Sequence, residues 1–287
     1  SVMTLLIADV SEHNGWIDWE KVKESGNHVI IRMGYGQDYE SQDDKKWARN
    51  IAECERLGIP HGAYLYSYAS TEGQALGEAD HALRLIKGRT FQYPVYYDLE
   101  EARAQDSAKD IARAFCNKLE DEGFFVGVYA NLHWWQNYLN GLDAYTKWVA
   151  SWGVNEVQIT CDLWQYTNKG VFPGVPGTGE GGVDLNRSYR NFVQELNEFY
   201  GATANGGLGS IDSIARDVLK GMYGNGEERR RKLGTLYDKV QARVNELVIE
   251  QMAHDVIKGK YGNGDARRKK LGAMYDKVQA RVNQIIG

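Results

Sequence analysis

Eight short runs rich in β-branched and aromatic residues mark the first two hundred residues. They are LLIADV, HVIIRMGYG, GAYLYSYA, YPVYYDLE, FFVGVYAN, KWVASW, DLWQYT and GGVDLN. Helical patterns separate the first five runs, for example over 43–57 and 106–122, whereas 147–186 leaves no room for full helices. Eight strands alternating with helices is typical of a TIM barrel. The pattern predicts an α/β fold, an irregular TIM-like (β/α) barrel with eight strands and fewer helices.

The C-terminal part of the chain is a tandem repeat. Residues 211–248 and 249–286 align at a shift of 38 residues with 24 identical positions. Apolar residues recur at helical spacing in each unit, and glycines break the period at YGNG and at Gly234. In the first unit this predicts helices over 211–221, 226–233 and 235–247. We therefore expect two small all-α three-helix bundles after the barrel.

The segment GATANGGLG between barrel and repeats is small and flexible, which predicts a linker. The expected organisation is a barrel in 1–200, a linker in 201–209, and repeats in 210–248 and 249–287. From Ile211 onward there are 16 Lys and Arg against 10 Asp and Glu, a net charge of +6, whereas 1–210 has 18 against 29, a net charge of −11. Two independent bodies with different partners are expected, so removal of 206–287 should leave a folded barrel.

Composition excludes several classes of protein. No run of eighteen apolar residues exists, so we expect no membrane span, and SVMTLLIADV lacks the features of a secretory signal. The scattered Cys54, Cys116 and Cys161 are expected to be buried thiols rather than a disulfide framework. Six histidines without HExxH or HxH spacing make a zinc centre improbable. We predict no metal and no cofactor.

An acid pair closes the fourth run, in YPVYYDLEEA. Residues two apart on a strand point to the same side, so Asp98 and Glu100 would face one space with Cα atoms ~7 Å apart. Asp9 and Asp184 fall in the first and last runs, and barrel enzymes carry their reactive groups at the C-terminal ends of strands. Four acids at one mouth would hold their pKa values apart, as acid catalysis requires.

A structural interpretation competes with the catalytic one. A single Asp at a strand end is usually a turn former or helix cap, and this applies to Asp9 and Asp184. Asp98 and Glu100 are different, because burying two like charges is costly and no basic residue lies near them on the strand. Two carboxyls at this spacing are typical of glycosidases. We therefore interpret the pair as catalytic.

Aromatic residues cluster at the same strand ends. Sugar rings have apolar faces that stack on such side chains, although the aromatics could also simply fill the barrel. Nucleic acid could stack there too, but a body of net charge −11 repels phosphate, so no nucleic-acid partner is expected. The candidates for sugar binding are Tyr35, Tyr64, Tyr66, Tyr129, Trp152 and Trp164, and the same set of strand-end aromatics includes Tyr68, Trp134 and Tyr166.

The sequences DVSEHNGWIDW, RMGYG, YYDLE, GVYAN, LWQYT and GVDLN resemble, in this order, those of glycoside hydrolase family 25, the phage and bacterial muramidases. The resemblance covers roughly residues 5–200. It implies an irregular β/α barrel that cleaves the β-1,4 bond between N-acetylmuramic acid and N-acetylglucosamine in peptidoglycan.

The resemblance also implies roles for the acids. Glu100 matches the general acid that protonates the leaving oxygen. Asp98 matches a residue that acts either as the nucleophile or as the group that orients the N-acetyl carbonyl of the substrate. Asp9 and Asp184 match acids that shape the field of the pocket and orient the sugar. Both routes imply retention of anomeric configuration.

The tail resembles the CW-seven type of cell-wall-binding repeat through YGNG, RRKLG and YDKVQARVN. This implies binding of peptidoglycan fragments without choline, and two linked units would raise avidity. The arginines could equally form a solvated helix face. The candidates for wall binding are Tyr223, Asn225, Arg229 and Arg230 in the first unit and Tyr261, Asn263, Arg267 and Arg268 in the second.

The expected protein is a phage endolysin, stored in the cytoplasm and released to the wall by a separate membrane-permeabilising protein. An autolysin exported by another route is the alternative origin. Two other functions compete: a catalytically silent wall-binding protein, and a hydrolase of chitin or another N-acetylated glycan. Intact Asp98 and Glu100 argue against the first, and YPVYYDLEE lacks the longer acidic run typical of the main chitinase family.

Overall fold

The computed structural model describes residues 4–179, 181–204 and 208–287. Eight strands form a barrel that closes in chain order from β1 to β8. The irregular eight-stranded barrel and all eight predicted strands are confirmed. The strands are β1 Ile7–Val10, β2 His28–Tyr35, β3 His61–Tyr66, β4 Val95–Asp98, β5 Val126–Asn131, β6 Thr146–Ala150, β7 Leu163–Gly170 and β8 Val183–Ser188.

The direction of the last strand distinguishes this barrel from a regular one. Strands β1 to β7 pair in parallel, but β8 is antiparallel to both β7 and β1. Parallel neighbours need a long crossover, whereas antiparallel neighbours can be joined directly. The stretch between Gly170 and Val183 holds no helix in its described residues, so the chain turns back on itself. The start of β8 therefore lies beside the C-terminal ends of the other strands.

Helices cover the outside of the barrel. Predicted helices 43–57 and 106–122 are confirmed as α2 and α4, each preceded by a short 3₁₀ turn. Helix α2 buries Trp47, Ile51 and Cys54 toward the sheet. The helices of this layer are α1 Trp19–Ser25, α2 Trp47–Leu57, α3 Glu72–Ile86, α4 Ala108–Asp121 and α5 Leu132–Asn137. The α6 helix, Phe192–Ala204, instead packs Phe192, Leu196 and Phe199 against the residues of the barrel interior.

Alternation along β4 and just beyond it separates the two sides of the sheet. Val95, Tyr97 and Leu99 belong to the core between sheet and helices. Tyr96 belongs to a second core that fills the barrel interior, and Asp98 lines a cavity above it. The predicted division of this strand into two faces is confirmed.

The C-terminal region is helical, as predicted, but its helices are not all separate. Five helices follow α6: α7 Leu208–Leu219, α8 Gly226–Leu233, α9 Tyr237–Ile257, α10 Gly264–Leu271 and α11 Tyr275–Ile286. The α9 helix runs through the boundary at 248/249, so the third helix of the first repeat and the first helix of the second are one element. The junction ELVIEQMAH contains neither Gly nor Pro, and nothing local ends the helix there.

Helical structure also extends into the predicted linker. The α6 helix ends at Ala204 and α7 begins at Leu208, and 205–207 lie outside the described residues.

The glycines of each YGNG turn are required by the backbone: Gly224 and Gly226 have φ of 64° and 53°. Residues that carry a side chain rarely adopt this backbone conformation.

In the described part of the chain, no helix is long and apolar enough to cross a membrane.

Candidate active site

A cavity of about 380 Å³ opens at the end of the barrel where β1 to β7 finish. All four predicted acids, Asp9, Asp98, Glu100 and Asp184, line it. Three of them follow the rule that reactive groups sit at C-terminal strand ends. Asp184 reaches the same mouth from near the start of β8, because that strand runs in the opposite direction.

Strand register sets the neighbours of each acid. Asp9 on β1 lies directly opposite Asp184 on β8. Asp98 on β4 lies level with Tyr66 on β3 and with Tyr129 on β5. The sheet thus holds one carboxyl pair on one wall and one carboxyl between two tyrosines on the other.

Asp9 is buried and well satisfied. Its Oδ2 accepts hydrogen bonds from the side-chain amides of Gln165 at 3.0 Å and Asn186 at 2.9 Å. Burial raises the pKa of Asp9, while hydrogen bonds with Asp184, Asn186 and Gln165 oppose this rise. The two amides hold the carboxylate in a fixed orientation.

Asp184 is the partner that keeps a proton. Burial, followed by the charge of Asp9 and the hydrogen bond to it, raises the pKa of Asp184 to about 9. At neutral pH this carboxyl is protonated and donates to Asp9. The pair therefore carries one negative charge rather than two.

Asp98 has the most unusual surroundings of the four acids. Its Oδ1 is buried and has no hydrogen-bond partner among the described residues. Burial, followed by the charges of Glu100 and Asp9, raises the pKa of Asp98 well above its usual range, and Arg32 opposes this rise. A buried carboxyl without a partner is costly, which marks a functional rather than a structural position.

Glu100 lies two residues beyond Asp98, after the end of β4, and its side chain is exposed at the open end of the cavity. The cavity walls still remove part of its hydration. This desolvation, followed by the charge of Asp9, raises the pKa of Glu100, whereas hydrogen bonds with Tyr129 and Tyr66 lower it. Glu100 thus combines an elevated pKa with access to a ligand.

Arg32 is a site residue that the sequence analysis did not identify. It lines the cavity from β2, where its guanidinium bonds Glu12 at 2.6 Å and Asp44 at 2.8 Å. These two carboxylates already engage it, so it moderates the charge of Asp98 without pairing with it. Its period-two spacing from Ile30, which faces the barrel interior, is the signal that could have revealed it.

Three of the six predicted sugar-binding aromatics, Tyr64, Tyr66 and Tyr129, line the cavity. Trp152 is half exposed, and its Nε1 donates to Oε1 of Gln165 at 3.2 Å, which places its ring at the rim. Trp148, not among the predicted residues, also lines the cavity.

The structure does not bring Trp164 to the cavity. Gln165 faces the cavity, so strand alternation turns Trp164 to the outer side of β7, where its Nε1 donates to the carbonyl of Ser151 at 2.8 Å. Tyr35 packs edge to face on Tyr68 outside the cavity lining. The prediction did not use the period of the strand for these two aromatics.

The candidate residues of the repeats divide by role. The Arg229 guanidinium donates to the carbonyl of Gly224 and to Oε1 of Gln241, and thereby ties the YGNG turn to α9. Arg267 makes the equivalent bonds in the second repeat, and both arginines also donate to the Asn that follows the turn glycine, Asn225 or Asn263. In each repeat the arginine and the asparagine are therefore engaged by contacts within that repeat.

Of the remaining candidates, Arg268 is exposed, whereas Arg230 is half-buried. Arg230 and Arg268 lie over the rings of Tyr237 and Tyr275, with guanidinium carbons 5.5 and 4.4 Å from the ring centroids. Tyr223 and Tyr261 are both partly buried. No group of three or more His, Cys, Asp and Glu in 4–179, 181–204 and 208–287 is arranged to hold a metal ion.

Family models match two regions of the chain. The model described as Glycosyl hydrolases family 25 matches residues 8–175, and the CW_7 repeat matches 212–248 and 250–286. A comparison with curated proteins finds no match.

Solved structures share the barrel. The modular autolysin LytC from Streptococcus pneumoniae is 32% identical with a TM-score of 0.55, over 64% of this chain and 47% of LytC. The chain thus spans less than half of LytC. The CTP1L endolysin is 28% identical with a TM-score of 0.59, over 68% of this chain and 70% of that one.

The catalytic domain of endolysin ply40, from a bacteriophage of Listeria monocytogenes, supports the fold alone. It is 23% identical with a TM-score of 0.60, over 68% of this chain and 98% of the domain. The family match covers residues 8–175, more than half of the chain, and includes Asp9, Asp98 and Glu100. With its barrel, its acid-lined mouth and this match, the chain belongs to glycosyl hydrolase family 25 and carries two CW_7 repeats.

Proposed function

We propose that this protein hydrolyses the β-1,4 bond between N-acetylmuramic acid and N-acetylglucosamine in peptidoglycan, and that its tail binds the bacterial cell wall. The observation that carries the proposal is the open cavity in which four carboxyls share one mouth with aromatic walls. Glycosidases need one protonated and one ionised carboxyl beside the scissile bond, and mutual repulsion in a desolvated site supplies that difference.

Glu100 serves as the general acid. Its raised pKa keeps it protonated closer to neutral pH than a free Glu, and its exposed position lets it reach the glycosidic oxygen. Proton transfer leaves Glu100 ionised beside the hydroxyls of Tyr66 and Tyr129, which lower its pKa and so favour this form. The same carboxylate then accepts a proton from the water that completes hydrolysis.

Asp98 acts on the substrate from deeper in the cavity. Its carboxyl lines the cavity, and the N–H of an N-acetyl group is a donor that a carboxylate there can accept. Such a bond lowers the pKa of Asp98 and turns the acetyl carbonyl oxygen toward the anomeric carbon. This feature supports the substrate-assisted route over direct attack by Asp98, and both routes retain the anomeric configuration.

Asp9 and Asp184 provide a fixed charge beside the reaction. Asp9 is clamped by Gln165 and Asn186 and shares the proton of Asp184. One net negative charge held near the sugar stabilises positive charge that develops on the anomeric carbon. The sugar ring itself stacks on the tyrosines of the walls and on Trp152 at the rim.

The experiment is a digest of purified peptidoglycan by the full chain, followed by borohydride reduction and mass spectrometry. We expect N-acetylmuramitol at the new ends, a fall in the turbidity of the suspension, and neither change with Glu100→Gln. Reduced N-acetylglucosamine at the new ends would instead identify a glucosaminidase. A chain that binds walls without releasing fragments would be a catalytically silent wall-binding protein.

A further inference from the structure

The two repeats are nearly identical in sequence but lie in different surroundings. The apolar core of the first repeat, including Leu233, Leu236 and Val240, continues into the residues of α6 and the interior of the barrel. The core of the second, including Val256 and Leu271, is a separate cluster. Among the residues that the structure describes, the core of the first repeat is therefore packed against the barrel and that of the second is not.

An ion pair fastens the first repeat to the base of the barrel. Arg231 of α8 pairs with Asp162, which also bonds Arg190 at 3.2 Å. Asp162 is 4% exposed and precedes β7, so the contact lies at the end of the barrel opposite the cavity. The residue equivalent to Arg231 in the second repeat is Lys269, which is exposed and has no acidic partner among the described residues.

A glycine contact repeats this asymmetry. A Cβ placed on Gly234 would lie 3.4 Å from the ring of Phe125 at the base of the barrel. A Cβ placed on its counterpart Gly272, whose backbone φ is 53° against 52° for Gly234, would have nothing within 4 Å among the described residues. The same turn is thus a packing surface in one repeat and an open surface in the other.

Neighbouring charges are also neutralised in the first repeat alone. Lys232 pairs with Glu228 at 2.9 Å. Burial raises the pKa of Glu120 on α4 to about 7, and the charge of the nearby Arg230 opposes this rise. In the second repeat the position of Glu228 is taken by Ala266. This leaves Arg268, Lys269 and Lys270 as three adjacent exposed cations.

We infer that the first repeat is a fixed part of the catalytic body that closes the base of the barrel, and that the second repeat alone presents the wall-binding face. The wall-binding half of this inference rests on the proposed function, and the docking half does not. The partner that fits these three adjacent exposed cations is a glycan carrying anionic peptides, since their carboxylates can pair with Arg268, Lys269 and Lys270. The first repeat lacks this face because the barrel and Glu228 already occupy its cations.

A matched pair of charge reversals tests both halves in the full chain. Arg231→Glu places a carboxylate against Asp162, so we expect the Tm to fall by about 5 °C. Lys269→Glu alters the equivalent position of the free repeat, and its Tm should stay within about 1 °C of wild type, as is usual for surface changes. Thermal unfolding followed by circular dichroism measures both. Equal shifts for the two variants would overturn the docking.

Co-sedimentation with purified peptidoglycan, in short incubations at 4 °C, tests whether the second repeat alone presents the wall-binding face. Lys269→Glu should weaken binding roughly tenfold, an effect reduced by salt, and Arg231→Glu should bind as wild type does. Equal loss with both variants, or loss with Arg231→Glu alone, would overturn the assignment of the face.

Two further results separate the possible failures. A wild-type chain that does not sediment with peptidoglycan would remove wall binding, and with it the second half of the inference, while the Tm pair would still decide the docking. If Arg231→Glu does not fold, Arg231→Lys supplies the measurement. This variant carries the lysine that the second repeat has at the equivalent position. Its Tm should also fall, but by less than that of Arg231→Glu, because lysine lacks the planar guanidinium.

Discussion

Two buried aspartates at opposite ends of the barrel are treated in opposite ways. Asp98 at the mouth and Asp162 at the base are 6% and 4% exposed. Asp162 bonds Arg190 and Arg231 and accepts a hydrogen bond from the backbone N–H of Lys147 at 2.8 Å. Asp98 has an oxygen without any partner among the described residues.

The difference separates structure from chemistry. A buried carboxylate with two guanidinium partners has a structural role, because its charge is compensated and it holds the paired elements together. A buried carboxyl that repels its neighbours stores free energy, part of which a substrate can release by donating a hydrogen bond to the carboxyl from the cavity. Substitutions at the mouth should therefore reduce activity without reducing stability, and substitutions at the base should do the reverse.

The largest effect is expected from Glu100→Gln. The amide cannot protonate a leaving group, so kcat should fall about 1,000-fold or more. The matched control is Glu101→Gln, since Glu101 accepts a hydrogen bond from Tyr66 at 2.8 Å but does not line the cavity. Release of reducing ends from peptidoglycan measures both variants. Full activity in Glu100→Gln, or an equal loss in Glu101→Gln, would remove Glu100 from its role.

Asp98→Asn should reduce activity about 100-fold and raise stability at neutral pH. Because the pKa of Asp98 is raised in the folded state, the native protein holds a proton that the unfolded chain releases above pH 4 or so. The resulting penalty grows as pH increases, and the neutral amide does not have it. The gain in Tm should be clear at pH 7 and vanish at pH 4. A loss of stability at pH 7 would show that Asp98 is a structural residue.

At the base, Asp162→Asn should have the opposite profile. It leaves the guanidinium groups of Arg190 and Arg231 without their common carboxylate, so the free energy of unfolding should fall by about 3 kcal/mol. The kcat of the folded fraction should stay at the wild-type value, because the substitution lies far from the cavity. Denaturant unfolding and initial rates below the transition test this. A large fall in kcat without a fall in stability would break the contrast between the two ends.

Local patterns in the sequence predicted the mouth well. The shared side of Asp98 and Glu100 follows from the period of two along a strand, which depends on nothing outside the strand. The same rule would have placed Arg32 and Gln165 in the cavity and Trp164 outside it. The approach of Asp184 to the mouth was predicted from its run, but not the reversed strand that brings it there, since strand direction depends on how the chain returns.

The base was beyond prediction from local patterns. The two repeats share their period and turns, so their sequences indicate equivalent units. Docking of only one depends on Asp162 and Arg231, which are 69 positions apart and belong to different predicted bodies. The merged α9 helix shows a related limit, because a repeat boundary in sequence is not a boundary in structure when no residue ends the helix.

The smallest effect is expected at the shared proton of Asp184. Its pKa is raised from 3.8 to about 9, so between these values the native state holds a proton that the unfolded chain has released. The stability this carboxyl contributes is complete below pH 4 or so and is lost as pH rises toward 9. Asp184→Asn keeps the donor to Asp9 without the titration, so its Tm should fall less than that of wild type between pH 5 and 9 or so. If Tm falls equally with pH in the two proteins, the proton lies elsewhere in the cluster. If Tm falls more steeply in the variant, Asp184 is ionised in the folded state. Because Asp9 keeps its clamp from Gln165 and Asn186 in either case, the change in kcat at neutral pH should be only a few-fold, which places this residue between the two extremes that Asp98 and Asp162 define.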